Sequence, residues 1–246
     1  MTILYEDSQI LVCCKEAGLP VKSARVGVKD LVSILKNYIW ERNGQRGEPY
    51  LGVIHRLDQP VEGILVFAKT PEAARELSAQ VSDGRMKKIY HAVVREPAEN
   101  FTEKYDAKEG TLKDHLLTDK KTNSARVVPE GSKGAKQARL DYRILDSIPA
   151  PARLSPQGYE ADNPLALVEI RLHTGRHHQI RVQMAHAGMP LCGDRKYGHT
   201  GETGQLALCA VSLELLHPST GKPMQFHCYP QGGFFGLFTE NYYGRI

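Results

Sequence analysis

Three clusters in this chain mix charged groups and rings beyond what packing requires. The first is HRLDQPVEG, His55–Gly63, where an arginine stands two residues before an aspartate and a proline and a glycine close the turn. The second is KKIY, Lys87–Tyr90. The third is TGRHHQIR, Thr174–Arg181, with GDRKYG, Gly193–Gly198, shortly after it. The first cluster offers a carboxylate and a guanidinium held close together on a short loop. A carboxylate in a site that closes and loses water is pushed toward its neutral form, and a nearby arginine opposes that shift.

Each cluster also has an ordinary reading. Aspartate is common in turns because its side chain bonds nearby backbone, and Asp58 fits that description. Tyr90 fits a strand aromatic. Arg176 and Arg181 fit the solvated face of a helix. His173, His177 and His178 raise the question of a metal. The chain has no HExxH and no Cys–His spacing suited to zinc, and adjacent histidines do not easily point at one ion, so no metal is expected. GSKGAK lacks the GxxxxGK[ST] spacing of a phosphate loop. No GxSxG elbow exists for a serine hydrolase.

The clusters are placed by a strand-dominated pattern. HRLDQPVEG lies between two apolar runs, LGVI (Leu51–Ile54) and GILVFAK (Gly63–Lys69), and reads as a loop joining two strands. Before it come a strand at Ile10–Cys14 and a helix capped by Asp30, with Leu31, Ile34, Leu35 and Tyr38 on one face. After it Thr70 and Pro71 open a helix whose apolar stripe is Ala73, Leu77 and Val81, stopped by Gly84. Gly84–Val94 turns from basic loop into strand. Asp114–Arg139 is polar and Lys-rich and reads as loop with at most one strand. Leu140–Leu145 reads as a strand, Ser147–Pro164 as an irregular surface excursion, and Leu165–Leu172 as the plainest strand in the chain. Thr174 is placed to cap a helix through Gln179–Ala187. Leu206–Leu216 and Pro223–Cys228 read as strands joined by the HPSTGK turn. Strands without regularly alternating helices predict an α+β fold with a mixed, mostly antiparallel sheet.

The 246 residues suffice for one large domain or two small ones. Such a chain buries roughly 70–75% of its unfolded surface and needs no staple. Five cysteines, none in a CxxC pair and two adjacent (Cys13, Cys14), suit reduced thiols better than a disulfide framework. The first residues carry acidic side chains and no basic start, unlike a signal peptide. No apolar run approaches the roughly 20 residues of a membrane helix. A formal net charge of +4 permits a polyanionic partner without requiring one.

Taken in order, HRLD with a Gly-led strand GILVFAK, then K-x-Y, then TGR-x-HQIR, then GD-x-x-YG resembles the RluA-type pseudouridine synthases, from about Ser8 to Tyr229. HRLD and TGR-x-HQIR are specific in combination. The resemblance implies a pseudouridine synthase fold: a central mixed, mostly antiparallel sheet flanked by helices and loops, with a catalytic cleft across the sheet. Residues 1–246 are then one catalytic domain without a separate N-terminal RNA-binding domain. The implied activity isomerises uridines of ribosomal or transfer RNA. That chemistry breaks a glycosidic bond and rejoins uracil through a ring carbon, with no redox change and no phosphate transfer. No cofactor is therefore expected, in keeping with the missing nucleotide motifs.

By the same resemblance Asp58 is the catalytic carboxylate, Arg181 its charge partner, and Tyr90 stacks on the uracil with its hydroxyl available for proton transfer. Arg56 fills the gap that the flipped base leaves in the RNA. His55, Lys88, Arg176 and Gln179 join it as RNA-binding positions, and Lys87, Lys120, Lys121, Lys133, Lys136, Arg195 and Lys196 are candidates for phosphate contacts. The family's usual T-S-G is here Val61–Glu62–Gly63, which sets a negative charge near a loop expected to face phosphate. The expected protein is a cytoplasmic monomer acting on an RNA stem-loop. Two other readings stand beside it. One is a catalytically silent RNA-binding or ribosome-assembly factor. The other is a hydrolase using Asp58 with Asp194, which needs carboxyls roughly 5–10 Å apart.

Overall fold

The computed structural model describes residues 1–23, 27–95, 108–151, 164–198 and 203–238. In chain order its elements are β1 (Thr2–Glu6), β2 (Ile10–Lys15), α1 (Leu31–Arg42), β3 (Gly52–Val53), β4 (Glu62–Ala68), α2 (Pro71–Ser82) and β5 (Lys87–Arg95). There follow β6 (Glu109–Asp119), β7 (Ser124–Val128), β8 (Lys136–Ile148), β9 (Leu165–Leu172), α3 (Gln179–His186), β10 (Leu208–Leu216), β11 (Pro223–His227) and a short 3-10 helix, Gly233–Phe238. The chain divides into two compact units, one of Met1–Lys88 with Cys209–Pro230, the other of Ile89–Leu208 with Gln231–Ile246. Among the described residues no helix is long and apolar enough to cross a membrane.

In the first unit β2 pairs antiparallel with β1 and with β4, and β3 also pairs antiparallel with β4. β10 runs parallel to β4 and antiparallel to β11. β4 is buried at all seven positions. It has strand neighbours on both edges, so its sequence is a continuous apolar run rather than an alternation. Ile64 and Val66 share a core with Ile10, Val12, Leu213 and Leu215, covered by Ala73 and Leu77 of α2. Burying each such aliphatic side chain stabilises the unit by about 1.5–3 kcal/mol. α2 begins where its sequence says it should: Thr70 Oγ1 accepts from the Ala73 N–H at 3.1 Å and Pro71 sits in the first turn. α1 is capped by Asp30, which accepts from the Ser33 N–H at 2.8 Å. Its buried positions are Leu31, Val32, Leu35 and Ile39, one step around from the expected face, with Ile34 and Tyr38 only half-buried.

In the second unit the pairing runs β5–β9–β8–β6–β7, antiparallel throughout. Together the two units give the mixed, mostly antiparallel α+β architecture expected from the pattern. The Lys-rich stretch Asp114–Arg139 is not a loop, however. It holds most of β6, all of β7 and the start of β8. Its apolar residues are sparse because only one face is covered: Leu116, Ala125 and Ala138 pack on Val182 of α3, half-buried Asp114 accepts from Gln183 Nε2 of the same helix, and the lysines face out. β1 is a further strand that the pattern did not reveal. β8 also runs three residues past the expected end, to Ile148. Most of the remaining excursion before Pro164 lies outside the described residues.

Two local expectations are corrected. Thr174 does not cap α3. His178 holds the cap position at φ 53° without a side-chain bond, and Thr174 Oγ1 donates to Gln179 Oε1 at 2.8 Å. The cysteines are not all free thiols either. Cys14 and Cys228 form a disulfide with Cα atoms 6.6 Å apart. Adjacent strand residues face opposite ways, so Cys13 points into the core while Cys14 meets the chain just after β11. Cys13, Cys192 and Cys209 are free and buried.

Candidate active site

Asp58 sits in the loop leading to β4, half-buried, next to an exposed Arg56. The loop is tied by its own backbone. The Val61 N–H donates to the Asp58 carbonyl at 3.0 Å, and the Gly18 N–H donates to the Gln59 carbonyl at 2.9 Å. Gln59 returns the contact, its Nε2 donating to the Gly18 carbonyl at 3.0 Å. Lys15, at the end of β2, is 1% exposed. Its ammonium donates to the carbonyls of Glu16 at 2.9 Å, Leu19 at 2.8 Å and Gln59 at 3.0 Å. Burial lowers its pKa from the usual 10.5 to about 8, opposed by the charges of Asp58 and Glu62.

The loop ends on Gly63, whose φ of 121° is open only to glycine. A Cβ there would meet the Ala210 backbone of the parallel neighbour β10, lying 2.8 Å from its Cα. Glu62 was expected to set its charge before an RNA phosphate. It is instead buried, at 5% exposure, in register with Cys209 of β10. His55 is half-buried, but its ring is desolvated. Its Nε2 accepts from the Val66 N–H at 3.4 Å. Desolvation and the Lys88 charge push its pKa down to about 3, so it is a neutral imidazole at every physiological pH. Lys88 is itself half-buried, its pKa lowered by desolvation.

The second unit gathers the TGRHHQIR and GDRKYG residues. Arg181 of α3 and Asp194 form a buried bidentate pair, Nε to Oδ2 and Nη2 to Oδ1, each at 2.7 Å. Asp194 Oδ1 also accepts from the Lys196 N–H at 2.9 Å and the Tyr197 N–H at 3.1 Å. Burial pushes the Asp194 pKa up. The Arg181 bonds and charge, with the two N–H donors, outweigh it and hold the carboxyl below the usual range. The guanidinium carbon lies 5.0 Å from the centre of the Tyr197 ring. Tyr197 Oη accepts from the Ala125 N–H of β7 at 2.8 Å, which leaves its proton for His178 Nδ1 at 2.7 Å. His177 stacks on His178 with ring centres 3.8 Å apart. Gly193 starts the turn at φ 72°, against the backbone of Gln205 and Leu206.

Gln179 is buried, and its amide bridges Thr174 Oγ1, the Arg176 N–H at 2.9 Å and the Arg139 carbonyl at 3.1 Å. Arg176 is exposed, with Nε donating to the Gln137 carbonyl at 2.9 Å. Tyr90 is buried in β5 opposite Ile170. Asp194, 1% exposed and held by four donors, cannot turn to a sugar, which removes it as half of a hydrolytic carboxylate pair. Sequence reasoning missed two of these residues. Asp194 was read within its motif and as the second carboxylate of a rival hydrolase, not as the partner of Arg181. Lys15 carried a signal that passes as a solvated strand end.

The family model described as RNA pseudouridylate synthase matches residues 9–186. A tRNA pseudouridine synthase C from Pectobacterium carotovorum is 28% identical over 98% of this chain and 62% of its own length. The Salmonella typhimurium protein of that name is also 28% identical, with 93% of its length covered. A ribosomal large subunit pseudouridine synthase D from Pseudomonas aeruginosa is 31% identical over 92% of this chain and 67% of its own length. The solved structure of human RNA pseudouridylate synthase domain containing 4 superposes with a TM-score of 0.73 at 21% identity, covering 96% of this chain and 91% of that one. That likeness is one of fold. The chain belongs to the RNA pseudouridylate synthase family, whose members are isomerases that convert uridine in RNA to pseudouridine.

Proposed function

We propose that this protein isomerises specific uridines in transfer or ribosomal RNA, with Asp58 as the catalytic carboxylate. The observation that carries this reading is the Asp58 loop: a half-buried aspartate on a backbone-tied turn, within the residues matched by the family model. An ionised carboxylate is what the sugar chemistry needs, and its loop is fixed before substrate arrives. Tyr90 stacks on the uracil and handles the ring proton. Arg181, oriented by Asp194, supplies the counter-charge to Asp58. Residues 1–246 work as one catalytic domain, as the family resemblance implies.

Arg56 enters the RNA stack when the target base leaves it, which suits its exposed position beside Asp58. His55, Lys88 and Arg176 contact the RNA around it, and Gln179 contributes by orienting Arg176. The RNA is a stem-loop, the protein acts as a monomer in the cytoplasm, and no cofactor takes part. The relatives named for transfer RNA and for the large ribosomal subunit make both RNAs candidates. The test is to map pseudouridines in total RNA from cells with and without the gene. Sites present only with the gene, and not restored by an Asp58→Asn copy, identify the substrate. An unchanged map removes the reading.

A further inference from the structure

The Lys15 ammonium has three N–H donors and no capacity to accept. Each donor is used by a backbone carbonyl: Glu16, Leu19 and Gln59. Two of those carbonyls belong to the turn after β2, and the third follows Asp58 directly. Lys15 thus joins that turn to the Asp58 loop. A neutral amine keeps two N–H groups and gains a lone pair. One carbonyl would then lose its donor and face that lone pair. The junction holds only while Lys15 is charged, and a lysine at 1% exposure needs a nearby negative charge to stay so.

The charged or titratable groups that act on Lys15 are Asp58 on the loop, Glu62 on β4 and Cys13 on its own strand. Burial raises the Cys13 thiol to about 12, so it carries no charge near neutrality. Cys209, opposite Glu62 on β10, is likewise raised well above its usual value by burial and by Glu62 itself. Asp58 and Glu62 are left as the carboxylates that hold the proton on Lys15. Lys15 pairs with Gly63 across β2 and β4, so Glu62, 5% exposed, is the chain neighbour of its strand partner.

We infer that Lys15 and Glu62 are a positioning pair for Asp58: the buried Glu62 carboxylate keeps the Lys15 ammonium charged, and that ammonium fixes the Gln59 carbonyl and so the direction of Asp58. This rests on the reading of Asp58 as the catalytic carboxylate. It also gives the Val61–Glu62 departure from Thr–Ser a role in the enzyme, not in RNA contact.

The pair has a pH signature. Lys15 titrates near pH 8 in the folded protein and near 10.5 when unfolded. Between those values the unfolded chain binds the extra proton, so folding stability rises with pH through that window as far as Lys15 is concerned. Activity should fall over the same window as the junction opens. A residue that only held the fold would not separate the two.

The experiment titrates Lys15 by NMR on protein with carbon-13 at the lysine ε position. In parallel it measures single-turnover tritium release from RNA labelled at uracil C5, taken from cells lacking the gene. Wild type should show a Lys15 midpoint near 8 and a rate that falls with the same midpoint, while circular dichroism stays constant. Glu62→Gln removes a charge that raises the Lys15 value. Both midpoints should then move to lower pH together, by at least half a unit. A Lys15 midpoint that does not move in Glu62→Gln overturns the inference, as does a rate midpoint that ignores a moved Lys15. The wild-type comparison of the two midpoints needs no variant and survives if Glu62→Gln fails to fold. Asp58→Asn, run alongside, separates the two readings. Full activity there removes Asp58 as the catalyst. An inactive Asp58→Asn with unlinked Lys15 and rate midpoints removes only the role of the pair.

Discussion

Two charged loops in this molecule are held by opposite means. The 58–62 loop is tied through its backbone, with Gln59's carbonyl gripped by Gly18 and by the Lys15 ammonium. The 193–198 turn is tied through side chains: Arg181 clasps Asp194, and Tyr197 bridges β7 and His178. In the first the carboxylate of Asp58 is left half-buried at the surface of its unit. In the second the carboxylate of Asp194 is at 1% exposure and fully engaged. One loop is built to present an aspartate, the other to bury one. Similar sequence signs, an aspartate beside a basic residue and a glycine in each motif, therefore carry different physical meanings.

Neutralising each aspartate is the strongest way to break that comparison. Asp58→Asn should lower turnover by at least about a thousandfold, with RNA binding kept and stability within about 1 kcal/mol of wild type. Asp194→Ala should do the reverse in kind. It strands a buried guanidinium and should lose about 3–5 kcal/mol in a denaturant titration. The pH dependence follows the same division. A lowered Asp194 pKa stabilises the fold fully above its usual 3.8 and loses that contribution as pH falls through the folded value. Asp194→Ala should lack that part of the acid limb. If Asp58→Asn unfolds the protein and Asp194→Ala only slows it, the assignments of presenter and anchor are exchanged.

How far the sequence revealed this depends on which kind of tie is at work. Side-chain ties are written as residue types. The caps at Asp30 and Thr70 were readable, and so was the apolar run of β4, because their causes lie within a few positions. The Arg181–Asp194 pair spans thirteen positions and could not be distinguished from other pairings of the same arginine. Backbone ties leave weaker marks. Lys15 reads as the polar end of a strand, and only the carbonyls of Glu16, Leu19 and Gln59 turn it into a buried junction. The Asp114–Arg139 part of β6 to β8 was hidden because a sheet covered on one face needs only Leu116, Ala125 and Ala138 inside there, against four lysines in the same stretch. Gly63 was legible as a loop residue, yet its cause, the Ala210 backbone of a strand almost 150 residues later, was not.

A milder test removes one atom from the side-chain tie. Tyr197→Phe keeps the ring over Arg181 and deletes the hydroxyl that joins the Ala125 N–H to His178. The Ala125 N–H is then left without its acceptor, a loss of about 1–3 kcal/mol for a buried group. Thermal unfolding should show the decrease, and α3 and β7 amides should exchange faster than those of β2 and β4. Unchanged stability would mean that the turn is held by Asp194 alone.

The smallest effect belongs to the matching change in the other loop. Gln59→Ala deletes an exposed amide that donates to the Gly18 carbonyl at 3.0 Å. It leaves the Gln59 carbonyl, and therefore both the Gly18 N–H and Lys15 contacts, in place. A solvated side-chain bond of this kind contributes about 0.5 kcal/mol or less, because water replaces it when it is lost. Stability should accordingly change by no more than that, and turnover by less than about twofold. The contrast with Tyr197→Phe is the informative quantity. A loop fixed by its backbone tolerates loss of a side chain at its centre, whereas a loop fixed by side chains does not. A drop of about 2 kcal/mol or a tenfold slower rate in Gln59→Ala would show that the amide, not the carbonyl, sets the loop. The distinction between the two loops would then reduce to one of burial, and the Lys15 junction would lose its place as the element that directs Asp58.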